Sequence, residues 1–184
     1  IHILRWNDFV PAADKVLREV YVPEVQKALG IKLNVETVNA NDIPARATAG
    51  IQSGNGPDII MLLNNYPHLY ASSAVDVSDI AEEVAKAQGG IYDASQQLNK
   101  VGGRWAAMPW SVVPGMIAYR KSWFEEIGLK EFPKTWAAYH EAGKKLKAMK
   151  RPIGQTLGNT FGDAPTFTYP LLWSYGGQEV DAKG

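Results

Sequence analysis

Ser53-Gly54-Asn55-Gly56-Pro57-Asp58-Ile59-Ile60-Met61-Leu62-Leu63-Asn64-Asn65 is the stretch on which the reading of the fold turns. Gly-Asn-Gly-Pro is a turn signal. The apolar run Ile59–Leu63 that leaves it fits a strand covered on both faces, as in a parallel sheet. Upstream, Asn41 is placed to cap a helix carrying Ile43, Ala47 and Ile51 on one face. Before that, Ile31, Leu33, Val35 and Thr37 alternate with Lys32, Asn34 and Glu36, the period of a half-buried strand. Two helical pieces precede it, with Val16/Val20 and Leu17/Tyr21 four residues apart. They meet at Pro23 and stop at Gly30. Ile1, Ile3 and Leu4–Trp6 open the chain as a further strand. Strand, helix, strand, helix, strand implies right-handed crossovers and an α/β layer fold.

Downstream, residues 66–100 read as helix and loop. Gly102-Gly103 leads into two expected strands, Trp105–Pro109 and Val112–Tyr119. A short helix stops at Gly128, and Thr135 caps an amphipathic helix with Trp136, Tyr139, Gly143 and Leu146 on its inner stripe. A short strand near Ile153–Leu157 and an aromatic helix from about Phe167 to Tyr175 follow. No internal repeat or low-complexity linker interrupts the pattern.

The composition narrows the function classes. A hydrophobic fraction of 46% and a charged fraction of 21% over 184 residues are those of a folded globular chain of one to two domains. Lys+Arg and Asp+Glu are both 19, and this balance argues against nucleic acid as a partner. The one dense basic run, Lys144, Lys145, Lys147, Lys150 and Arg151, falls in the last turns of a predicted helix, where cations complement the macrodipole. With no cysteine, neither a disulfide nor a thiolate metal site is possible. Ile1 opens directly on a strand-like segment, so the leader of an exported protein would have been removed or left out.

Catalytic signatures are missing: no Gly-x-Ser-x-Gly elbow, no phosphate loop and no Gly-x-Gly-x-x-Gly. His140-Glu141 looks like half of a zinc-protease motif, but Lys144 stands where the second histidine is needed. No enzyme activity, metal or cofactor is expected. What stands out is the character of the strand ends, where open α/β sheets bind their ligands. The first strand runs into Trp6-Asn7-Asp8, the third into Asn64-Asn65-Tyr66, and the Trp105 strand into Trp110-Ser111. An aromatic face packs on the C–H face of a sugar ring, and amide and carboxylate groups match adjacent hydroxyls. Trp105, Trp123 and Trp136 are expected in the core.

These segments resemble family 1 of the bacterial extracellular solute-binding proteins, the maltose-binding-like group serving ABC importers. The resemblance rests on Gly54-Asn55-Gly56-Pro57-Asp58-Ile59, the opening strand into Trp6, and Gly30-Ile31-Lys32-Leu33. It continues through Tyr119-Arg120-Lys121-Ser122-Trp123-Phe124, Pro133-Lys134-Thr135-Trp136 and Trp173-Ser174-Tyr175-Gly176-Gly177. It covers the whole chain in order. It implies a two-lobe periplasmic-binding-protein-like fold that closes by a hinge around a solute. Residues 1–112 would form the first lobe, 113–117 the crossing hinge segment and 118–184 the beginning of an incomplete second lobe. The chain is thus expected to be an N-terminal fragment that, alone, binds weakly. Position by position, Asn64 and Asn65 match hydroxyl-binding positions of the first lobe. Asp163, Phe167 and Tyr169 match a carboxylate and stacking aromatics of the second, and Trp110 lies beside the crossing. Leu62, Leu63 and Val113 depart from the oligosaccharide binders, which points to a small sugar, polyol or glycoside rather than maltodextrin. The implied partners are that solute and ABC permease subunits. The implied location is the periplasm, or the outer face of the membrane as a lipoprotein. Trp6-Asn7-Asp8-Phe9 also resembles the opening of polyamine binders, so a cationic solute is the alternative, with an effector-sensing domain of a regulator a more distant one.

Overall fold

Three strands, β1 (His2–Trp6), β2 (Asn34–Val38) and β3 (Ile59–Ile60), pair in parallel in the order β2-β1-β3 of a computed structural model that describes residues 1–113, 115–158, 162 and 164–179. The chain divides into two compact units, Ile1–Val112 and Val113–Gly184. The sheet belongs to the first.

The deciding stretch builds this sheet in two ways. Asp58 accepts the His2 amide on Oδ2 at 2.7 Å and gives its own amide to the His2 carbonyl at 2.8 Å, which locks β3 to the start of β1. Gly56 passes so close to the helix before it that a Cβ there would lie 2.6 Å from the Gly50 Cα, so no larger residue fits without moving backbone. β3 is shorter than the apolar run suggests. Met61 still donates to the Leu4 carbonyl at 2.8 Å, the last hydrogen bond described between this segment and β1.

With the order β2-β1-β3, right-handed crossovers put the two sets of connecting helices on opposite faces of the sheet. On one side, α3 (Ile43–Ser53) buries Ile43 and Ala47 in the same core as Leu4. On the other run α1 (Pro11–Val16), a π-helical turn over Leu17–Tyr21 and α2 (Val22–Leu29). Pro23 lacks an N–H and its ring crowds the carbonyl four residues back; the widened π turn absorbs both. The helix therefore continues through Pro23 rather than breaking, and ends at Gly30, whose φ of 64° is left-handed as expected of a terminating glycine. Arg18 ties this layer to β2, donating to the Val35 carbonyl and the Thr37 hydroxyl at 3.1 Å each.

The expected cap at Asn41 is corrected. Asn39 is the cap, its side chain accepting the Asn41 amide at 3.0 Å, because a 3₁₀ turn over Ala40–Asp42 precedes α3. The rest of the first unit holds α4 (Tyr66–Tyr70), α5 (Ser78–Gln88) and α6 (Asp93–Asn99). It also holds a separate antiparallel hairpin, β4 (Lys100–Val101) with β5 (Arg104–Trp105), turned by Gly102-Gly103. Trp105 is buried as expected.

The second unit is helical among its described residues. α7 (Lys121–Glu126) and α8 (Trp136–Ala148) share a core of Phe124, Ala142 and Leu146, with Trp123, Ile127, Leu129, Phe132 and Ile153 packed against it. Thr135 caps α8 by accepting the Ala138 amide at 3.2 Å, and α9 (Pro165–Ser174) is the aromatic helix. Neither Val112–Tyr119 nor Ile153–Leu157 pairs into a sheet among the described residues. Strand propensity needs a partner edge, and Val113, Met116 and Ile117 are exposed. No helix among the described residues is long and apolar enough to cross a membrane.

Candidate functional site

The parallel ladder sets one edge of the first unit. Trp6 pairs with Val38 in register, and Asn7 makes the last rung by donating to the Val38 carbonyl at 2.9 Å. β2 then delivers Asn39 beside Asn7. Because Met61 reaches the Leu4 carbonyl, Leu62 and Leu63 run on toward the same edge, where Asn64 turns the chain with a left-handed φ of 40°. Asparagine is among the few residues that tolerate that conformation. Tyr66 donates its amide to the Leu63 carbonyl at 2.9 Å, and the turn passes into α4. The carboxyl ends of three parallel strands therefore bring together Trp6, Asn7, Asn39, Asn64, Asn65 and Tyr66. Asn7, Asn64 and Asn65 are exposed; Trp6 and Tyr66 are half-buried. Asn39 was not singled out from the sequence, although an Asn directly after an alternating strand is a signal that finds it.

Asp8 sits on this edge but is occupied. Its Oδ2 takes a hydrogen bond from Arg5 Nη2 at 3.1 Å, and its Oδ1 takes the Val10 amide at 2.9 Å. It is not a bare carboxylate of the sort that a cationic solute requires.

Trp110 and Ser111 are not carried to this edge by a strand. β5 ends at Trp105 in a separate hairpin, and Trp110 lies 80% exposed on irregular chain. Their assignment thus rests on the resemblance alone. Asp163 lies outside the described residues.

In the second unit, Trp136, Tyr139, His140, Ile153, Gln155, Phe167 and Tyr175 are among the residues that line a cavity of about 470 Å³. Phe167 meets Trp136 edge-on, centroids 5.5 Å apart at 88°, and Trp136 Nε1 donates to the Ser174 hydroxyl at 2.6 Å. Tyr169 is not in this wall. It lies against Trp173 with centroids 5.7 Å apart, since residues two apart on a helix face different ways. Trp136 and Tyr139 are half-buried walls rather than closed core; the inward stripe of α8 identifies them in the sequence, but not that they border open space. Near His140, the Lys144 ammonium 2.7 Å away holds the Glu141 carboxyl below the usual carboxylate range, an ordinary surface ion pair.

This α/β scaffold is that of the bacterial extracellular solute-binding proteins. Residues 6–184 match the model of that family, and the chain belongs to it. Over 109 residues it is 31% identical to the diacetylchitobiose binding protein DasA of Streptomyces coelicolor, a match covering 56% of this chain and 24% of that one. Its fold is that of maltose-bound MalE3 of T. maritima, with a TM-score of 0.74 and 20% identity over 98% of this chain and 47% of that one. It is also that of an ABC transporter solute-binding protein from Agrobacterium radiobacter K84 in complex with ribitol, with a TM-score of 0.72 and 22% identity, covering 100% of this chain and 47% of that one. The chain thus spans about a quarter of the curated relative's length and just under half of these solved chains.

Proposed function

We propose that the protein binds a small neutral carbohydrate-like solute (a sugar, polyol or glycoside) outside the cytoplasm and delivers it to an ABC importer by closure of two lobes. The observation that carries this is the strand-end edge, where an indole and four amide side chains gather and the carboxylate that follows Asn7, Asp8, is already bound on both oxygens. Amides offer both donors and acceptors to vicinal hydroxyls, while the indole packs on ring C–H groups. Relatives named for diacetylchitobiose, maltose and ribitol support the same chemical class.

On this reading, residues 1–112 form the first lobe, 113–117 the crossing hinge segment, and 118–184 begin the second. Trp6, Asn7, Asn64, Asn65, Tyr66, Trp110 and Ser111 contact the solute from the first lobe, and Asp163, Phe167 and Tyr169 from the second. The protein works as a binder without chemistry, in the periplasm or as a lipoprotein on the outer face of the membrane, with permease subunits as its partners.

Titration of the full-length protein against maltose, diacetylchitobiose, ribitol and spermidine, followed by calorimetry, tests it. Saturable binding to a neutral probe is expected, with Asn64→Ala and Asn65→Ala each weakening it by about 1–3 kcal/mol, roughly tenfold or more. Binding to spermidine alone, or turnover of the bound solute, contradicts it.

A further inference from the structure

Beneath the strand-end edge lies a charge arrangement that the edge itself does not explain. Arg5 is on β1 between Leu4 and Trp6, and its side chain is only 13% exposed. A buried guanidinium is costly unless it is paired. Its Nη2 binds Asp8 Oδ2 at 3.1 Å, and its Nη1 lies 3.6 Å from Asp14 Oδ1 on α1, within ion-pair range but beyond a hydrogen bond. The second Asp14 oxygen accepts from Arg18 Nε at 2.9 Å, and Arg18 itself is anchored on β2. The chain Asp8–Arg5–Asp14–Arg18 therefore links the loop after β1 to the sheet and to α1 by alternating charges. Its outermost member, Asp8, is two residues from Trp6 and one from Asn7.

We propose that Arg5 is a positioning residue that sets solute selectivity. It holds Asp8 inward, which fixes the Trp6-Asn7 turn against the sheet and withdraws the carboxylate next to Asn7 from a ligand. The proposal rests on the reading that this edge contacts the solute. Without the guanidinium, the Asp8 carboxylate keeps only the Val10 amide and swings free beside an indole. A carboxylate next to an aromatic face is a site for an ammonium group. One half-buried arginine thereby decides between a neutral and a cationic solute on otherwise unchanged residues, by removing an attraction to the wrong class.

The test uses full-length protein, with maltose, diacetylchitobiose and ribitol as neutral probes and spermidine as the cationic one. Arg5→Gln is expected to lose about tenfold in affinity for whichever neutral probe the wild type takes. It should also gain saturable spermidine binding that weakens with salt, and adding Asp8→Asn should abolish that gain. A purely structural role for Arg5 lowers neutral affinity with no gain of spermidine, and that result overturns the proposal. So does spermidine binding that survives Asp8→Asn, or spermidine binding by the wild type. Should Arg5→Gln fail to fold, Arg5→Met keeps an apolar stem in the buried site and is read by the same outcomes. If the wild type binds no neutral probe, the function proposed above fails, while the spermidine arm still decides this inference.

Discussion

The strand-end edge of the unit Ile1–Val112 and the aromatic cavity of the unit Val113–Gly184 are built by different forces. At the edge, main-chain hydrogen bonds set the backbone: the rungs of Asn7 on Val38 and Met61 on Leu4, and the turn bond of Tyr66 on Leu63. A rung tolerates a change of side chain, so Trp6 and Asn7 can vary while their backbone stays put, whereas Asn64 is held to asparagine by its left-handed φ. In the cavity no ladder contributes among the described residues, and the walls are held by ring against ring. Tyr119, Phe124, Phe132, Tyr139, Trp136 and Phe167 form one chain of contacts with centroids 5.1 to 6.2 Å apart. There, the residue that shapes the site is also the residue that stabilises it. The first unit thus separates its scaffold from the side chains on its edge, whereas in the second the same rings do both.

Emptying each core in turn should have the largest effect. Leu4→Ala and Leu146→Ala remove side chains that are 0% and 1% exposed, and each should cost about 2–5 kcal/mol. Hydrogen exchange read segment by segment should show Leu4→Ala loosening amides in 1–112 and Leu146→Ala those in 113–179. If each variant loosens both segments equally, the two units do not hold separate cores.

A smaller effect separates backbone from side-chain packing. A Cβ at Gly56 meets the Gly50 backbone at 2.6 Å, and Gly56→Ala should destabilise by about 1–3 kcal/mol. At Gly143 the obstacle is the Ile153 side chain, 2.5 Å from the added carbon. Ile153 can shift, and alanine gains up to about 1 kcal/mol of helix propensity over glycine. Denaturation midpoints should therefore fall further for Gly56→Ala than for Gly143→Ala; the reverse order contradicts the division.

The smallest effect is electrostatic. Asp76 sits before α5 and accepts both the Ser78 hydroxyl, at 2.6 Å, and the Ser78 amide, at 2.9 Å, on Oδ1. These bonds, the hydroxyl's first, hold its carboxyl below the ordinary range. A carboxyl depressed in the folded state lends stability that is present above the unfolded value and is lost as pH falls through the folded one. Asp76→Asn should therefore flatten the acid limb of the stability profile below about pH 4. Glu141→Gln in the second unit should do the same, but its partner is the Lys144 charge, so its effect should shrink more with added salt. Equal salt sensitivity in thermal melts over that pH range removes the distinction.

Much of the first unit was legible in the amino-acid order. Gly30, Pro57 and the alternation from Ile31 to Thr37 act locally, through φ preference and side-chain period, and those signals survive into the fold. The interruption expected at Pro23 does not occur, because a π turn over Leu17–Tyr21 accommodates the proline and the helix runs on, an adjustment that no local preference specifies. The cap at Asn39 was missed for a similar reason: the 3₁₀ turn that shifts it depends on how α3 meets the sheet. The strand expected at Val112–Tyr119 has the right residues and no described partner to pair with.

By itself, the sequence determined the alternation of strand and helix, the stop at Gly30, and which residues follow each strand of the sheet. These are consequences of backbone sterics and apolar period, which act within a few residues. Only the tertiary structure decided that Asn39 joins Asn7 and Asn64 on one edge, that Trp136 walls a cavity, and that Asp8 is held by Arg5. Each of those depends on strand register or on helix packing, and so on residues distant in the chain whose meeting no local preference specifies.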